Sequence, residues 1–418
     1  MFLKNSIIYI STEVLNKAIP FLLLPILTKY LTPADYGIIA SFTAFVSFLS
    51  IFIGLSIHGA VNVNFFTTSK EELKVYISNG ILLLLFTTVI VFFIVFLFQR
   101  QLSSHLLLGS EWLYMGIVLA FAQFITLLNL TLWIAEKNSK AYGVYQILQT
   151  ILISSMSILF VVALHYDWRG QVLANVLGTL SLSLFSFYLL YKRGYLQFKY
   201  QPKDMKDLLH FGIPMIPHNL SGWIETSGDR LLLISLIGAS STGLFTVGFQ
   251  IGMIMSVLVS SFHKVWNPYL YEKLSLSEFT LKSKIKIVKF TYLYFIAMIF
   301  LVLILNFIAK YIFLYLIDTQ YAQSYQYVIY ILITFALNGA YFMVVSYIFF
   351  LKKTKQLAYI TFSSSLIHVL LSYIFINIYG ALGVVYSSII SYTIMFLSVW
   401  YYSNKVYPMP WRFWRYND

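Results

Sequence analysis

The feature that most constrains this chain is a succession of long apolar runs separated by short polar breaks. A helix that crosses a bilayer needs about 20 mostly apolar residues. Twelve such segments can be read, at roughly 6–30, 37–62, 75–98, 112–135, 142–164, 170–191, 211–237, 241–267, 287–309, 324–350, 357–377 and 380–402. Only 10% of the residues are charged, against roughly 25% in soluble domains, and the mean hydropathy is +0.80. No water-soluble core of this size hides so much apolar surface, so the chain is expected to be an all-α integral membrane protein. Its first run is not a cleavable signal. It holds Glu13 and Lys17, continues past Pro20 and Pro25, and has no small-residue cleavage site.

The basic residues set the orientation. With the amino terminus inside and the spans alternating, 22 of the 28 lysines and arginines fall on inside segments. Lys29, Arg100, Arg169 and Lys310 fall outside, while Lys17 and Arg230 lie within spans. This is the positive-inside pattern, and it places both termini in the cytoplasm. The net charge of +13 then reads as topology plus attraction to anionic lipid. No basic face of a folded soluble domain points to nucleic acid. The absence of cysteine removes disulfides and thiolate chemistry, and no P-loop or HExxH pattern suggests ATP hydrolysis or a metalloenzyme. Neither cofactor nor metal is expected.

The longish inside connection after the sixth span suggests two six-helix lobes, 1–195 and 211–404, joined by a linker at 196–210 and followed by a tail at 405–418. Setting LTKYLTPADYGIIASFTAFVSF against LISLIGASSTGLFTVGFQIGMI places Gly37 on Gly243, 206 residues apart. An even number of spans separates the two, so this is a parallel repeat of the kind transporters show. Two lobes related in this way meet in a central cavity. Pro20 and Pro25 in the first span, and Pro214 and Pro217 in the seventh, are expected to break the first helix of each lobe and leave carbonyls facing a hydrated interior.

Those same two helices carry the in-span charges. Glu225 and Asp229 stack one turn apart, His218 returns to their stripe, and Arg230 sits a quarter-turn away. Glu13 and Lys17 share the i, i+4 spacing that allows direct pairing. An ionised group at the bilayer centre costs about 2.5–3.5 kcal/mol even on the lenient insertion scale. Two readings stay open. Glu13 with Lys17, and Asp229 with Arg230, are neutralising structural pairs; or Lys17 and Arg230 attract an anionic substrate while Glu13, Glu225, Asp229 or His218 bind a coupling H+ or Na+. Gln123, Asn129, Gln146, Gln149, Asn175, Gln250, Asn338 and His368 read as interhelical hydrogen bonds. Gly248 and Gly252 read as close helix packing, and the tail PMPWRFWRYND as an interfacial anchor.

Several segments resemble a known family. PFLLLPILTKYLTPADYGIIASF, KAYGVYQILQTILI with HYDWRGQVLAN, and FGIPMIPHNLSGWIETSGDRLLLISLIGASSTGLFTVGFQI are similar to the polysaccharide-export, Wzx-type O-antigen flippases. The resemblance implies a MATE-like fold of the multidrug/oligosaccharidyl-lipid/polysaccharide (MOP) superfamily, in the bacterial cytoplasmic (inner) membrane. It implies a flippase that moves undecaprenyl-diphosphate-linked oligosaccharide repeat units to the outer leaflet by alternating access, alongside membrane lipids and other polysaccharide-assembly membrane proteins. Lys17 and Arg230 are then the cavity cations. Three in-span acids depart from the strongly basic cavity of that family. The alternatives are a cation-coupled multidrug exporter of the same superfamily, or a membrane polysaccharide polymerase or glycosyltransferase. The outer loops, which hold only Arg100 and His105, Asp167 and Arg169, or Lys310 and Asp318, are short for an enzyme.

Overall fold

A computed structural model describes residues 2–275 and 280–415, with the side chains of residues 2–10, Glu13 and Glu225 outside the description. Every regular element among the described residues is helical. Ten helices or helical runs among them are long and apolar enough to cross a membrane. The first and seventh segments of the sequence reading correspond to a long N-terminal helix and to a run of short pieces. Backbone contacts group the chain into two compact units, Met1–Gly243 and Leu244–Asp418.

The first unit opens with α1 (Phe2–Tyr30), α2 (Pro33–Gly54), α3 (Ile57–Thr67), α4 (Lys70–Leu106) and α5 (Ser110–Ala135). Local chemistry explains two of these starts. Thr32 and Asp35 form a reciprocal capping box, with Pro33 at the first helical position of α2. Ser69 and Glu72 do the same for α4. The apolar run 37–62 is interrupted where it was expected to be continuous: Leu55 and Ser56 take left-handed backbone angles (φ 41° and 51°) and turn the chain from α2 into α3. Pro20 and Pro25 bring the opposite correction, since α1 stays helical through both. Each proline removes a single backbone bond, and the helix is held by its flanking turns and by packing on α6 (Ser139–Ser157). Asn16 donates to Gln146 (3.0 Å) and accepts from Thr150 (2.9 Å) across that contact.

α6 runs into a π-helical turn at Ile158–Ala163, and α7 (Asp167–Lys192) follows. α5 is the axis of this unit and packs on α2, α3, α4 and α7. Ile53, Ile57, Leu84, Leu113, Leu128 and Val172 form its fully buried centre. The connection beyond α7 is fastened to this unit. Gln197 N–H donates to Ser78 (2.8 Å), Asn79 accepts from Gln201 N–H (3.0 Å), and Tyr76 donates to Asp207 (2.7 Å). Arg193 reaches the Asn129 side chain (2.6 Å), pairs with Glu136 and lies over the Trp133 and Tyr195 rings. Burial and the neighbouring Glu136 carboxylate push the Tyr195 phenol up to about 12.

The second unit contains α12 (Ile254–Ser275), α13 (Leu281–Tyr315), α14 (Tyr325–Phe350), α15 (Thr354–Tyr379) and α16 (Leu382–Val406). Within it α14 packs on α12, α13 and α16, and α16 packs along α15. The close packing expected of Gly248 and Gly252 is present: a methyl on either would stand within 2.6 Å of Ser324 O or 2.5 Å of Ile331 Cγ2. The tail departs from a simple interfacial anchor. Trp411 is buried against Trp400 and Tyr292, and Tyr292 donates to its carbonyl (3.2 Å), whereas Trp414 is exposed.

Candidate functional site in the broken seventh segment

The run 202–237 is built from pieces because its sequence does not support one helix. α8 (Pro202–Gly212) ends where Ile213 and Pro214 form a turn. α9 (Met215–Trp223) then starts, with Pro217 in its first turn, where a missing N–H is tolerated. The backbone widens into a π-helical turn at Ile224–Gly228 before α10 (Asp229–Ile237) resumes. Pro214 and Pro217 therefore accompany a real interruption, unlike the prolines of α1. π-bulges of this kind occur often at functional positions.

Side chains on this segment fasten it to α2. The Trp223 indole donates to Ala44 O (3.0 Å) and lies 3.2 Å from the Ser47 hydroxyl, with its ring against Phe48. One turn earlier Asn219 donates to Ser56 (2.9 Å), which sits in the left-handed link between α2 and α3. α10 then packs on α2 and α4. Sequence reasoning did not single out Trp223 or Asn219, because neither brings a charge into the apolar run.

Asp229 and Arg230 are both buried, at 5% and 8% exposure. Arg230 donates to the carbonyl of Thr226, one turn back in the π-helical stretch. An arginine stays ionised in such a place, so the fold holds a fixed charge next to distorted backbone. His218 is exposed on α9, and Lys17 is exposed on α1. α1 has α6 as its neighbour whereas α10 has α2 and α4, so Lys17 and Arg230 stand on helices with different packing partners. The side chains of Glu13 and Glu225 lie outside the described residues, and with them the Glu13–Lys17 pairing and the Glu225–Asp229 stripe. Among the described residues no group of three or more His, Cys, Asp or Glu is placed to hold a metal ion.

Just beyond α10, α11 (Ala239–Gly252) begins, and here the two glycines that the sequence alignment pairs each meet the backbone of the other helix. A methyl on Gly37 would collide with the carbonyl of Ala239, and one on Gly243 would collide with the carbonyl of Pro33. The two contacts exchange under the same 206-residue offset that aligns Gly37 with Gly243 in sequence. Reciprocal contact of this form is the signature of a twofold relation. Neither position has room for a side chain.

A family model described as polysaccharide biosynthesis protein matches residues 2–274, which include the capped start of α2 and the whole broken segment. The chain belongs to this family. A product of the Lsg locus of Haemophilus influenzae is 26% identical over 378 residues, covering 88% of this chain and 89% of that one. An uncharacterised membrane protein of the same organism is 25% identical over 372 residues, with 88% of each chain covered. Among solved structures, the lipid II flippase MurJ in an inward closed conformation superposes with a TM-score of 0.75 at 14% identity, over 96% of this chain and 87% of its own. A multidrug-resistance MATE transporter of the MOP superfamily, inward-facing, gives 0.71 at 16% identity, over 93% and 94%. This member of the polysaccharide biosynthesis family is thus a multi-pass membrane protein with the MATE-like fold, and its structural neighbours are transporters, not enzymes.

Proposed function

We propose that the protein flips undecaprenyl-diphosphate-linked oligosaccharide repeat units from the cytoplasmic to the outer leaflet of a bacterial inner membrane. Membership of the polysaccharide biosynthesis family over residues 2–274 carries this reading. In it, lobes 1–195 and 211–404 rock about the linker 196–210 to give alternating access, with both termini and the tail 405–418 in the cytoplasm. Arg230 supplies a permanent charge for the diphosphate from the interrupted backbone of the seventh segment, and Lys17 supplies a second from α1. Asp229, Glu225, Glu13 and His218 are the groups through which an H+ or Na+ gradient would act. A buried in-span arginine is a functional-site hypothesis by default, and the Trp223 and Asn219 bonds to α2 and Ser56 are contacts that the rocking motion would have to break and remake.

Deleting the gene tests the substrate. Single lipid-linked repeat units are expected to accumulate on the cytoplasmic leaflet; their display on the outer surface would instead indicate a polymerisation defect and reject the flippase. Replacing Arg230 with Ala or Gln is expected to abolish flipping while membrane insertion stays normal, and unchanged polysaccharide output would remove Arg230 from the site. The MATE neighbour and the in-span acids support a second reading, a cation-coupled multidrug exporter, which would tolerate the loss of Arg230 and lose drug efflux on replacement of Asp229.

A further inference from the structure

Between the ends of α15 and α16 in the second unit lies an open groove of about 580 Å³, lined by Tyr359, Ile360, Leu397, Ser398 and Tyr401. Tyr402 donates to Gln356 (3.0 Å) across it, tying the two helices together at one end. That end is cationic. Lys352, Lys353 and Lys355 immediately precede or begin α15, Lys405 lies in the last turn of α16, and all four are exposed. No carboxylate side chain occurs anywhere between Asp318 and Asp418, while this stretch contributes six basic residues. The chain therefore supplies no local counter-charge from the elements that form the groove.

We propose that this groove is a binding site for an anionic phospholipid, with an acyl chain against Tyr359, Leu397 and Tyr401 and the phosphate at the lysines. The two halves of the observation match the two halves of such a molecule. The lining is aliphatic and aromatic and lies on helices that cross the membrane. Its lysine-bearing end falls on the inner leaflet in the orientation set by the basic residues, where anionic head groups attract clustered lysines. Tyrosine is suited to this level because its ring meets the chain and its hydroxyl meets the interface. Ser398 and Gln356 leave small polar gaps among the apolar groups, enough for glycerol-ester oxygens.

The test uses the purified full chain in detergent, with lipid adducts counted by native mass spectrometry. Phosphatidylglycerol is expected to bind at least about tenfold more tightly than phosphatidylcholine with the same chains, a modest demand on three or four lysines at a membrane surface. Replacing Lys352, Lys353 and Lys355 together with Gln is expected to erase that preference, and Ser398→Trp, which fills the groove, to reduce the adducts of both lipids. Unfolding temperature in lipid-free detergent checks that both variants are folded. Equal binding of the two lipids, a triple variant that keeps its preference, or displacement of phosphatidylglycerol by equimolar polyprenyl phosphate would overturn the proposal. None of these readouts involves transport, so their failure leaves the flippase reading standing.

Discussion

Trp223 and Arg230 stand on either side of the π-helical turn Ile224–Gly228, and their side chains have different tasks. Trp223→Phe keeps the ring against Phe48 but removes the N–H that meets Ala44 O. The loss is expected to be about 1 kcal/mol, the usual net worth of one such bond, seen as a lower unfolding temperature in detergent with the helical content unchanged. In the linker, burial holds the Asp204 carboxyl above the ordinary carboxylate range, with Asp207 and Glu72 adding to the effect against Lys203. A carboxyl whose pKa is raised on folding contributes stability at low pH that is lost as pH rises through the folded value. Asp204→Asn is therefore expected to protect the 196–207 strap from proteolysis at pH 7 relative to the parent, and to make no difference near pH 4. The in-span charges were legible in the sequence because an ionised side chain in an apolar run is costly enough to need a reason. Trp223 was not, since an indole in a membrane protein usually marks only the interface and nothing local reveals its partner on α2.

Elements were legible in their middles more than at their ends. The apolar runs follow from composition alone, but their starts do not: the sequence reading begins these spans at about 37 and 75, whereas the capping boxes Thr32–Asp35 and Ser69–Glu72 start α2 at Pro33 and α4 at Lys70. The break between α2 and α3 escaped notice because Leu55 and Ser56 are neither glycine nor proline; tertiary contact with the seventh segment, through Asn219, supports a backbone that their own preferences oppose. Proline misled in the other direction, since α1 absorbs Pro20 and Pro25 without ending. The crossing of α2 and α11 gives the sharpest test at this scale. Gly37→Ala and Gly243→Ala each force a carbonyl of the facing helix to move, and each is expected to cost about 1–3 kcal/mol, the range for overpacking a tight contact. Unfolding temperatures of the two single variants should fall by similar amounts, because the contacts are exchanged by the repeat; unequal effects would mean the twofold relation is only geometric.

For the whole molecule, the sequence carried the class, the fold and the family, because membrane topology is written in hydropathy and lysine placement over long stretches. Which side chains share a cavity was not legible, since that depends on how helices far apart in sequence are rotated about their axes. Coupling belongs to this scale as well. If an acid of the seventh segment carries protons, flipping in sealed vesicles is expected to fall when the pH gradient is collapsed; indifference to both proton and sodium gradients rejects it. The crossing at Gly37 and Gly243 has an evolutionary corollary. A methyl on either glycine would meet backbone, not a side chain that could give way, so a change at one position has no repair at a side chain of the other, and both are expected to stay glycine.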